Sequence, residues 1–296
     1  MTIIESPYSK LADSNWYTGN LHTHTTVSDG PCGVPQTISA YAGLGHDFLA
    51  LSDHDVLVEP DEYGTDLGIE TVQAVEVSAN GPHLLHVGAT EAIEPLADRR
   101  VVAERASAEG EVAIAAHPGW GDTYEHWSYD SLRESRSLDG LEIYNAHIET
   151  LKGSATAVDV WDRLLTEGRR IWGFANDDTH SASRMGLAYN VVAVQEPSVA
   201  GIIEGLSAGR FYASTGVWIE SIEVDGDTVR VQTGNAETIR FLTDHGVVQS
   251  SVEGPTARIR IPESLPYGSE HTYLRIECFG RGESRAWSQP LFLGDS

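Results

Sequence analysis

Between about residues 20 and 215, short apolar runs alternate with amphipathic segments, and several of the runs end in a histidine or a carboxylate. Short apolar runs of this kind are typical of buried strands. Each amphipathic segment ends at a glycine, which suits the left-handed residue that closes a helix. Strands are predicted at 48–52, 71–77, 84–89, 112–116, 140–144, 171–175 and 187–194, and helices at 35–44, 99–109, 157–167 and 198–208. The pattern predicts an α/β fold.

The residue pattern changes after Gly216, where apolar and polar residues begin to alternate, as at 229–232, 257–261 and 273–277. Alternation with a period of two is typical of antiparallel strands that have one solvated face. We therefore expect an α/β domain over residues 1–216 and a small antiparallel, β-sandwich-like module over residues 217–296.

The charge balance narrows the range of partners. Lysine and arginine number 19 against 44 aspartates and glutamates, which gives a formal charge of −25. Binding along a phosphate backbone needs clustered basic side chains, so bulk nucleic-acid binding is not expected. No apolar run approaches the roughly 20 residues that a membrane helix needs, and 2 cysteines cannot form a disulfide framework. We expect a cytoplasmic protein with no membrane partner.

The first group of metal-ligand side chains is the pair His22 and His24, followed on the next loop by Asp29. On a strand, residues i and i+2 point to the same face with Cα atoms about 7 Å apart, so both imidazoles can converge on one cation. Asp29 adds an oxygen ligand or a carboxylate that orients a ligand. Two surface or packed histidines are the alternative interpretation of this motif taken alone.

Further predicted strand ends carry the same kinds of side chain. They present His54 between Asp53 and Asp55, Glu76 followed by His83 and His86, His117, and Asp178 with His180. A carboxylate inside an apolar run is costly unless it is paired or metal-bound. Each motif alone has an ordinary explanation, such as a solvent-facing glutamate or a packed histidine. A barrel, however, gathers the carboxyl ends of its strands on one rim, so their joint occurrence predicts a metal site.

These motifs resemble those of the PHP superfamily, the polymerase and histidinol phosphatase group of metal-dependent hydrolases, over about residues 16–216. Within that superfamily, residues 19–24, 141–145, 176–180 and 209–216 are similar to the CehA/McbA-type branch, which includes carbaryl hydrolases. The trailing β module also resembles that branch. The resemblance implies a distorted TIM-like (β/α)7 barrel and two or three divalent metal ions, commonly zinc, manganese or iron.

The resemblance also implies which residues would hold the ions. One ion would be held by His22, His24, Glu76 and Asp178. Glu76 would bridge to a second ion, held also by His117 and by a histidine on the following strand. His83 is favoured over His86 there, because the residues after His83 match the branch and His86 has the opposite side-chain parity. Asp29, His54 and His180 would make or border a third position.

The implied activity is hydrolysis of a small-molecule substrate by a metal-bridging hydroxide. Proton transfer is assigned to Asp178, His180 or His54, and substrate contact to Arg184, Glu142, Tyr144 and Asn145. A phosphoester is the default substrate, and a carboxylester, amide or carbamate is the nearest alternative. A metal-dependent lyase and a non-catalytic metal-binding module are the remaining alternatives. The sequence lacks the nucleophile elbow, the Walker loop and the dinucleotide-binding glycine motif.

Overall fold

The computed structural model describes residues 2–9, 14–59, 68–107, 111–261 and 272–295. The chain has a mixed α/β fold with one large sheet and few helices. Its first ten strands are β1 Thr2–Glu5, β2 Asn15–Asn20, β3 Phe48–Leu51, β4 Glu70–Val77, β5 Leu84–Val87, β6 Val112–Ala115, β7 Gly140–Asn145, β8 Trp172–Asn176, β9 Tyr189–Val194 and β10 Phe211–Ser214. The helices are α1 Val34–Gly43, α2 Arg99–Ala106, α3 Tyr129–Glu134, α4 Val158–Thr166 and α5 Val199–Ser207, with short 3-10 turns at His147–Thr150, Ala182–Arg184 and Asp244–Gly246.

The half of the large sheet that carries the predicted motifs runs in the order β9-β2-β3-β4-β5-β6-β7-β8. Strands β2, β3 and β4 are parallel to one another, as are β6, β7 and β8. Strand β5 runs antiparallel to both of its neighbours. The reason lies in the short link from β4 to β5, since a parallel return needs a crossover of about a dozen residues or more.

Strands β9 and β8, at the two ends of this order, are joined by side-chain hydrogen bonds and by a shared apolar core. The side-chain amide of Asn190 in β9 hydrogen bonds to both the N–H and the C=O of Ala175 in β8. Thr23 and Thr179, just beyond β2 and β8, form a parallel bridge. Phe174 and Phe211 stack 4.6 Å apart in a core that also includes residues of β3 to β6. The sheet therefore curls, while the regular (β/α)7 barrel stays a prediction.

The remaining strands are β11 Ile219–Asp225, β12 Thr228–Thr233, β13 Thr238–Thr243, β14 Val247–Glu253, β15 Thr256–Arg260, β16 Tyr273–Phe279, β17 Arg285–Ser288 and β18 Leu291–Asp295. Strand β17 pairs with β10, so the large sheet continues through β17, β16, β18 and β1. Strands β11, β12 and β15 form a second sheet, and one apolar core fills the space between the two. The boundary at residue 216 stays a prediction.

The C-terminal strands are also tied to the α/β part by a buried ion pair. Arg275 of β16 donates to both carboxylate oxygens of Asp162 in α4, at 2.6 and 2.7 Å, and Tyr273 donates to the same carboxylate at 2.7 Å. The side chain of Arg275 is 1% exposed. Such a pair costs desolvation, but its geometry leaves the Asp162 carboxylate well satisfied.

Where an element was predicted, its bounds lie within a few residues of those observed. The elements without a counterpart among the predictions are helix α3 and strands β1, β10, β11, β13, β14, β17 and β18. The end of the helix predicted at 99–109 falls partly outside the described residues. The placement of His22 and His24 on a strand is wrong, because β2 ends at Asn20. Beyond that point the N–H groups of Leu21 and His22 donate to side-chain oxygens instead of a neighbouring strand. In the part of the chain that the structure describes, no helix is long and apolar enough to cross a membrane.

Candidate metal centre

Glu76 lies at the centre of a cluster of imidazoles and is fully buried. It sits near the end of β4, beside the C-terminal ends of the parallel strands β2 and β3. Its Oε1 atom faces three ring nitrogens, namely His83 Nδ1 at 2.9 Å, His117 Nε2 at 3.0 Å and His22 Nε2 at 3.3 Å. Its Oε2 atom faces His54 Nδ1 at 2.8 Å and His24 Nε2 at 3.4 Å. One carboxylate therefore contacts histidines from several separate strand ends.

Asp178 is the second carboxylate of the cluster. Its Oδ1 lies 3.2 Å from both His24 Nε2 and His180 Nδ1, and 3.4 Å from His22 Nε2. The residue has a left-handed backbone, with φ at 55°, and its N–H donates to the carbonyl of His22. A non-glycine residue is strained in this region, and such strain collects at functional sites. His117 is also left-handed, with φ at 31°.

His22 and His24 point their Nε2 atoms at each other across only 3.1 Å. The ring of His22 is fixed from behind, because its Nδ1 lies 2.8 Å from Glu142 Oε1. Glu142 is itself held by the side-chain amides of Asn145 and Asn176 and by the N–H of His117. This arrangement of a carboxylate behind a histidine sets the tautomer and directs the other ring nitrogen toward a metal.

Asp29, His54 and His180 form the outer edge of the cluster. Asp29 Oδ2 lies 3.3 Å from His180 Nε2 and 3.6 Å from His54 Nε2. Asp29 Oδ1 lies 3.8 Å from His24 Nδ1. The side chain of Asp29 is 52% exposed, and those of His54 and His180 are 26% and 22% exposed, whereas Glu76 and His22 are 0% exposed. This edge is therefore the most solvent-exposed part of the cluster.

The buried carboxylates of the cluster favour positive charge on the groups next to them. Burial disfavours the charged imidazole of His22, yet the carboxylates of Asp178 and Glu76 outweigh it and raise the pKa of His22 well above its ordinary value. Burial would raise the pKa of Glu76, but His22 and His117 hold it well below its ordinary value. Glu76 Oε2 and His54 Nδ1 are buried and make no hydrogen bond within the described part of the chain, although they lie 2.8 Å apart.

The main chain of His83 is held on both sides by consecutive side chains of the loop that follows His117. The N–H of His83 donates to His126 Nε2 at 2.8 Å, and Trp127 Nε1 donates to the carbonyl of His83 at 2.8 Å. Since His126 accepts at Nε2, its ring proton lies on Nδ1 and the ring offers no free lone pair. His126 is therefore a positioning residue. Sequence reasoning missed it, because it follows no apolar run.

Arg99, in the first turn of α2, braces the segment that leads into His83. Its guanidinium donates to the carbonyls of Ser78, Ala79, Pro82 and Leu96. The other predicted candidate, His86, lies outside the cluster, because its side chain is buried beside Glu111 with Nε2 at 3.1 Å from the carboxylate. Of the two histidines, the structure thus brings His83 to Glu76.

The residues predicted to contact substrate lie behind the cluster or beside it. Glu142 and Asn145 are each 1% exposed, and Asn145 donates to Glu142 and to Asp178. The hydroxyl of Tyr144 donates to Glu149, and the guanidinium of Arg184 pairs with Glu149 at 2.6 Å. This geometry suits Glu142 and Asn145 for orienting ligands rather than for touching substrate. A role for Tyr144 and Arg184 in binding substrate stays a prediction.

A cavity of about 250 Å³ opens onto the cluster. Most of its lining residues belong to the cluster, and Trp120, Ile148 and Leu151 add apolar surface. The lining residues are Asp29, His54, Glu76, His83, His117, Trp120, His147, Ile148, Leu151, Asp178 and His180. His147 is stacked on His180 with ring centroids 4.2 Å apart. The cavity therefore borders both Glu76 and Asp178.

Comparison with protein-family models gives no match. Two curated proteins match short stretches. A phosphoribosyl 1,2-cyclic phosphate 1,2-diphosphodiesterase from Eggerthella lenta is 34% identical over 87 residues, which make up 26% of this chain and 33% of that protein. A 5'-3' exoribonuclease from Haemophilus influenzae is 36% identical over 64 residues, which make up 21% of this chain and 23% of that protein. The chain thus matches about a third or less of either relative's length.

Solved structures extend the likeness over most of the chain. PsfC from Pseudomonas syringae has a TM-score of 0.45 at 13% identity, and the match covers 64% of this chain and 87% of that one. A two-domain protein from Bacteroides vulgatus, which contains a predicted PHP-like metal-dependent phosphoesterase, has a TM-score of 0.54 at 16% identity, and the match covers 95% of this chain and 87% of that one. The chain shares the mixed α/β fold of that two-domain protein.

Proposed function

We propose that this chain is a metal-dependent phosphoesterase of the PHP superfamily, close to its CehA/McbA-type branch. The observation that carries the proposal is the environment of Glu76, whose two buried oxygens face five imidazole nitrogens at 2.8 to 3.4 Å. A hydrogen-bonded core histidine needs one such partner. A carboxylate shared among histidines from several strand ends is what bridging of adjacent cations requires.

The donor set fits divalent zinc, manganese or iron. Imidazole and carboxylate are ligands of these ions, and Glu76 Oε2 and His54 Nδ1 are left without hydrogen bonds. The first ion would be held by His22, His24, Glu76 and Asp178. The second would be held by Glu76, His83 and His117, and a third by His54, His180 and Asp29. When bound, such ions polarise the attacked group and lower the pKa of a coordinated water.

The protein's own residues orient the centre and handle protons. Glu142 fixes the ring of His22, and His126 with Trp127 fixes the backbone of His83. His54 and His180 are partly exposed at the cavity, and Asp178 also lines it, so each of the three is placed to reach a leaving group bound there. We assign proton transfer to whichever of His180, His54 and Asp178 keeps a lone pair free of the ions, because a ring nitrogen bound to a metal cannot accept a proton.

A phosphoester is the favoured substrate because the two relatives matched in sequence are named for the cleavage of phosphodiester bonds. The second candidate is hydrolysis of a carboxylester, amide or carbamate at the same centre. One observation favours it: among the described residues, no lysine or arginine lines the cavity. A neutral acyl substrate would need no such cation. Fold likeness does not decide between the two.

The test combines metal analysis with a substrate panel. Protein purified without chelator should contain two or more equivalents of metal and hydrolyse aryl phosphates or aryl phosphodiesters. Glu76→Gln should lose metal and turnover together, since a neutral amide bridges two cations poorly. Glu111→Gln is the matched control, because Glu111 also contacts a histidine but lies outside the cluster. Turnover of an aryl carbamate with none of any phosphate ester would reject the phosphoesterase proposal.

A further inference from the structure

We propose that the substrate carries its negative charge only on the phosphoryl group, and that the rest of the molecule is compact, uncharged and largely apolar. This inference rests on the proposed phosphoesterase function. It is carried by the apolar residues that line the cavity, by the charges around its mouth and by its size.

The apolar wall of the cavity is formed by Trp120, Ile148 and Leu151 and is built from two segments that brace each other. The ring of Trp120 also packs edge-on against His83 and His117 of the cluster, with centroids 5.4 and 5.2 Å apart. Trp120 comes from the loop after His117, and Ile148 and Leu151 come from the turn after β7. Trp120 forms an antiparallel bridge with Gly153. The N–H of Gly121 donates to the carbonyl of Lys152 at 2.9 Å. The N–H of Ser154 donates to the carbonyl of Gly119 at 2.8 Å. The wall is therefore formed before substrate arrives.

The close approach of the two segments depends on Gly153. Its φ is +126°, and a side chain there would overlap the carbonyl of Gly119. Ile148 is 2% exposed, whereas Leu151 is 43% exposed at the rim of the cavity. An aromatic or aliphatic group bound between Trp120 and Leu151 would bury apolar surface that otherwise faces water, which favours binding.

The cations nearest the mouth are already paired with carboxylates. Lys152 lies 2.8 Å from Asp122, and Arg184 lies 2.6 Å from Glu149. No lysine or arginine lines the cavity among the described residues, and the undescribed segments contain one lysine, Lys10, and no arginine. Asp29 adds a negative charge at the rim. A second anionic group on the substrate would therefore leave water without a cationic partner, which is costly.

The size of the cavity agrees with this charge pattern. At about 250 Å³ it lies at or below the lower end of the roughly 300–1,000 Å³ usual for small-molecule sites. A phosphoryl group against the cluster leaves room for a ring or a short alkyl group. A polyphosphate or an oligonucleotide would have to extend past Asp29 without cationic contacts.

The test uses two phosphate esters that differ in charge and hardly in size, 4-carbamoylphenyl phosphate and 4-carboxyphenyl phosphate. We expect kcat/KM to be about tenfold or more higher for the neutral carbamoyl compound, which corresponds to one mispaired charge at a half-exposed site. Leu151→Lys places a cation at the rim. It should raise kcat/KM for 4-carboxyphenyl phosphate and so lower the ratio of the carbamoyl value to the carboxy value. Leu151→Gln, which changes the same side chain without adding charge, is the control and should leave the ratio close to that of wild type.

The outcomes separate this inference from the proposed function. Equal or faster hydrolysis of 4-carboxyphenyl phosphate would overturn the inference while leaving the phosphoesterase intact. An unchanged ratio in Leu151→Lys would overturn the role of the rim. Failure to hydrolyse any phosphate ester, with metal bound, would overturn the phosphoesterase and the inference together. Metal content and thermal unfolding are measured on each variant as controls for an intact metal centre and an intact fold.

Discussion

The hydrogen bond between the N–H of His83 and His126 Nε2 provides a sharp test of how the centre is held together. His126→Phe keeps an aromatic ring beside Trp120 and His117 but removes the acceptor. The hydrogen bond is partly buried, so loss of the acceptor should cost up to the roughly 1–3 kcal/mol of an unpaired buried N–H. Because the ring of His83 contacts Glu76, this cost should weaken binding of the ion proposed to be held by Glu76, His83 and His117. Loss of such a supporting contact weakens metal binding by roughly 10–100-fold.

The assay is titration of metal-loaded protein with a competing chelator, with metal content followed by mass spectrometry. His126→Phe should release one equivalent at a chelator concentration roughly 10–100-fold lower than wild type, while the ion proposed to be held by His22, His24 and Asp178 should be retained. His126→Gln is the rescue variant, since its amide oxygen can accept the same N–H. Identical release curves for wild type and His126→Phe, or equal weakening in His126→Gln, would refute the positioning role.

Three further predictions concern other parts of the chain. Glu142→Gln should weaken metal binding roughly 10–100-fold by freeing the ring of His22, and unchanged chelator titration would contradict this. Arg275→Met should lower the free energy of unfolding in urea by about 3–5 kcal/mol, because it leaves the charge of Asp162 buried without its cation; a loss under about 1 kcal/mol would show that the pair is dispensable. Burial raises the pKa of Asp139 from 3.8 to about 6, so folding is penalised as pH rises through that interval and the penalty persists above it. Asp139→Asn should therefore gain stability over wild type from pH 4 to pH 7, reaching about 1–3 kcal/mol, and a difference that does not change with pH would contradict the shift.

The side chains of the cluster could be identified from the sequence because they interrupt apolar runs. An ionisable residue such as Glu76 within a run of buried residues needs a partner, and the parallel strands bring their carboxyl ends to one edge of the sheet. The structure brings every residue predicted as a metal ligand into one network of contacts no longer than 4.0 Å. Glu76, His117 and Asp178 lie within two residues of the end of a buried strand, so the local sequence pointed to them. His83 instead precedes β5, and the family resemblance favoured it over His86.

Contacts between distant segments could not be predicted in the same way. His126 and Trp127 reach His83 from a loop with no periodic pattern, and Glu142 was assigned to substrate although its carboxylate is consumed by His22 and neighbouring amides. A single sequence shows which residues are polar, but not which polar groups satisfy one another after folding.

The topology of the sheet shows the same limit. The direction of β5 depends on the length of the turn from β4, and the pairing of β17 with β10 joins residues about 70 positions apart. Gln289 even completes the edge of β8, since its amide hydrogen bonds to both the N–H and the C=O of Gly173. Strand positions follow from apolar runs, whereas strand order depends on tertiary contacts of this kind.

Anomalous diffraction from crystals grown with manganese would test most directly whether Glu76 joins adjacent cations. We predict at least two anomalous peaks, each about 2.0–2.3 Å from a Glu76 oxygen, with imidazole nitrogens of His22, His24, His83 or His117 completing the coordination. A single peak away from Glu76, or well-ordered histidines with no peak among them at saturating manganese, would contradict a bridged metal centre.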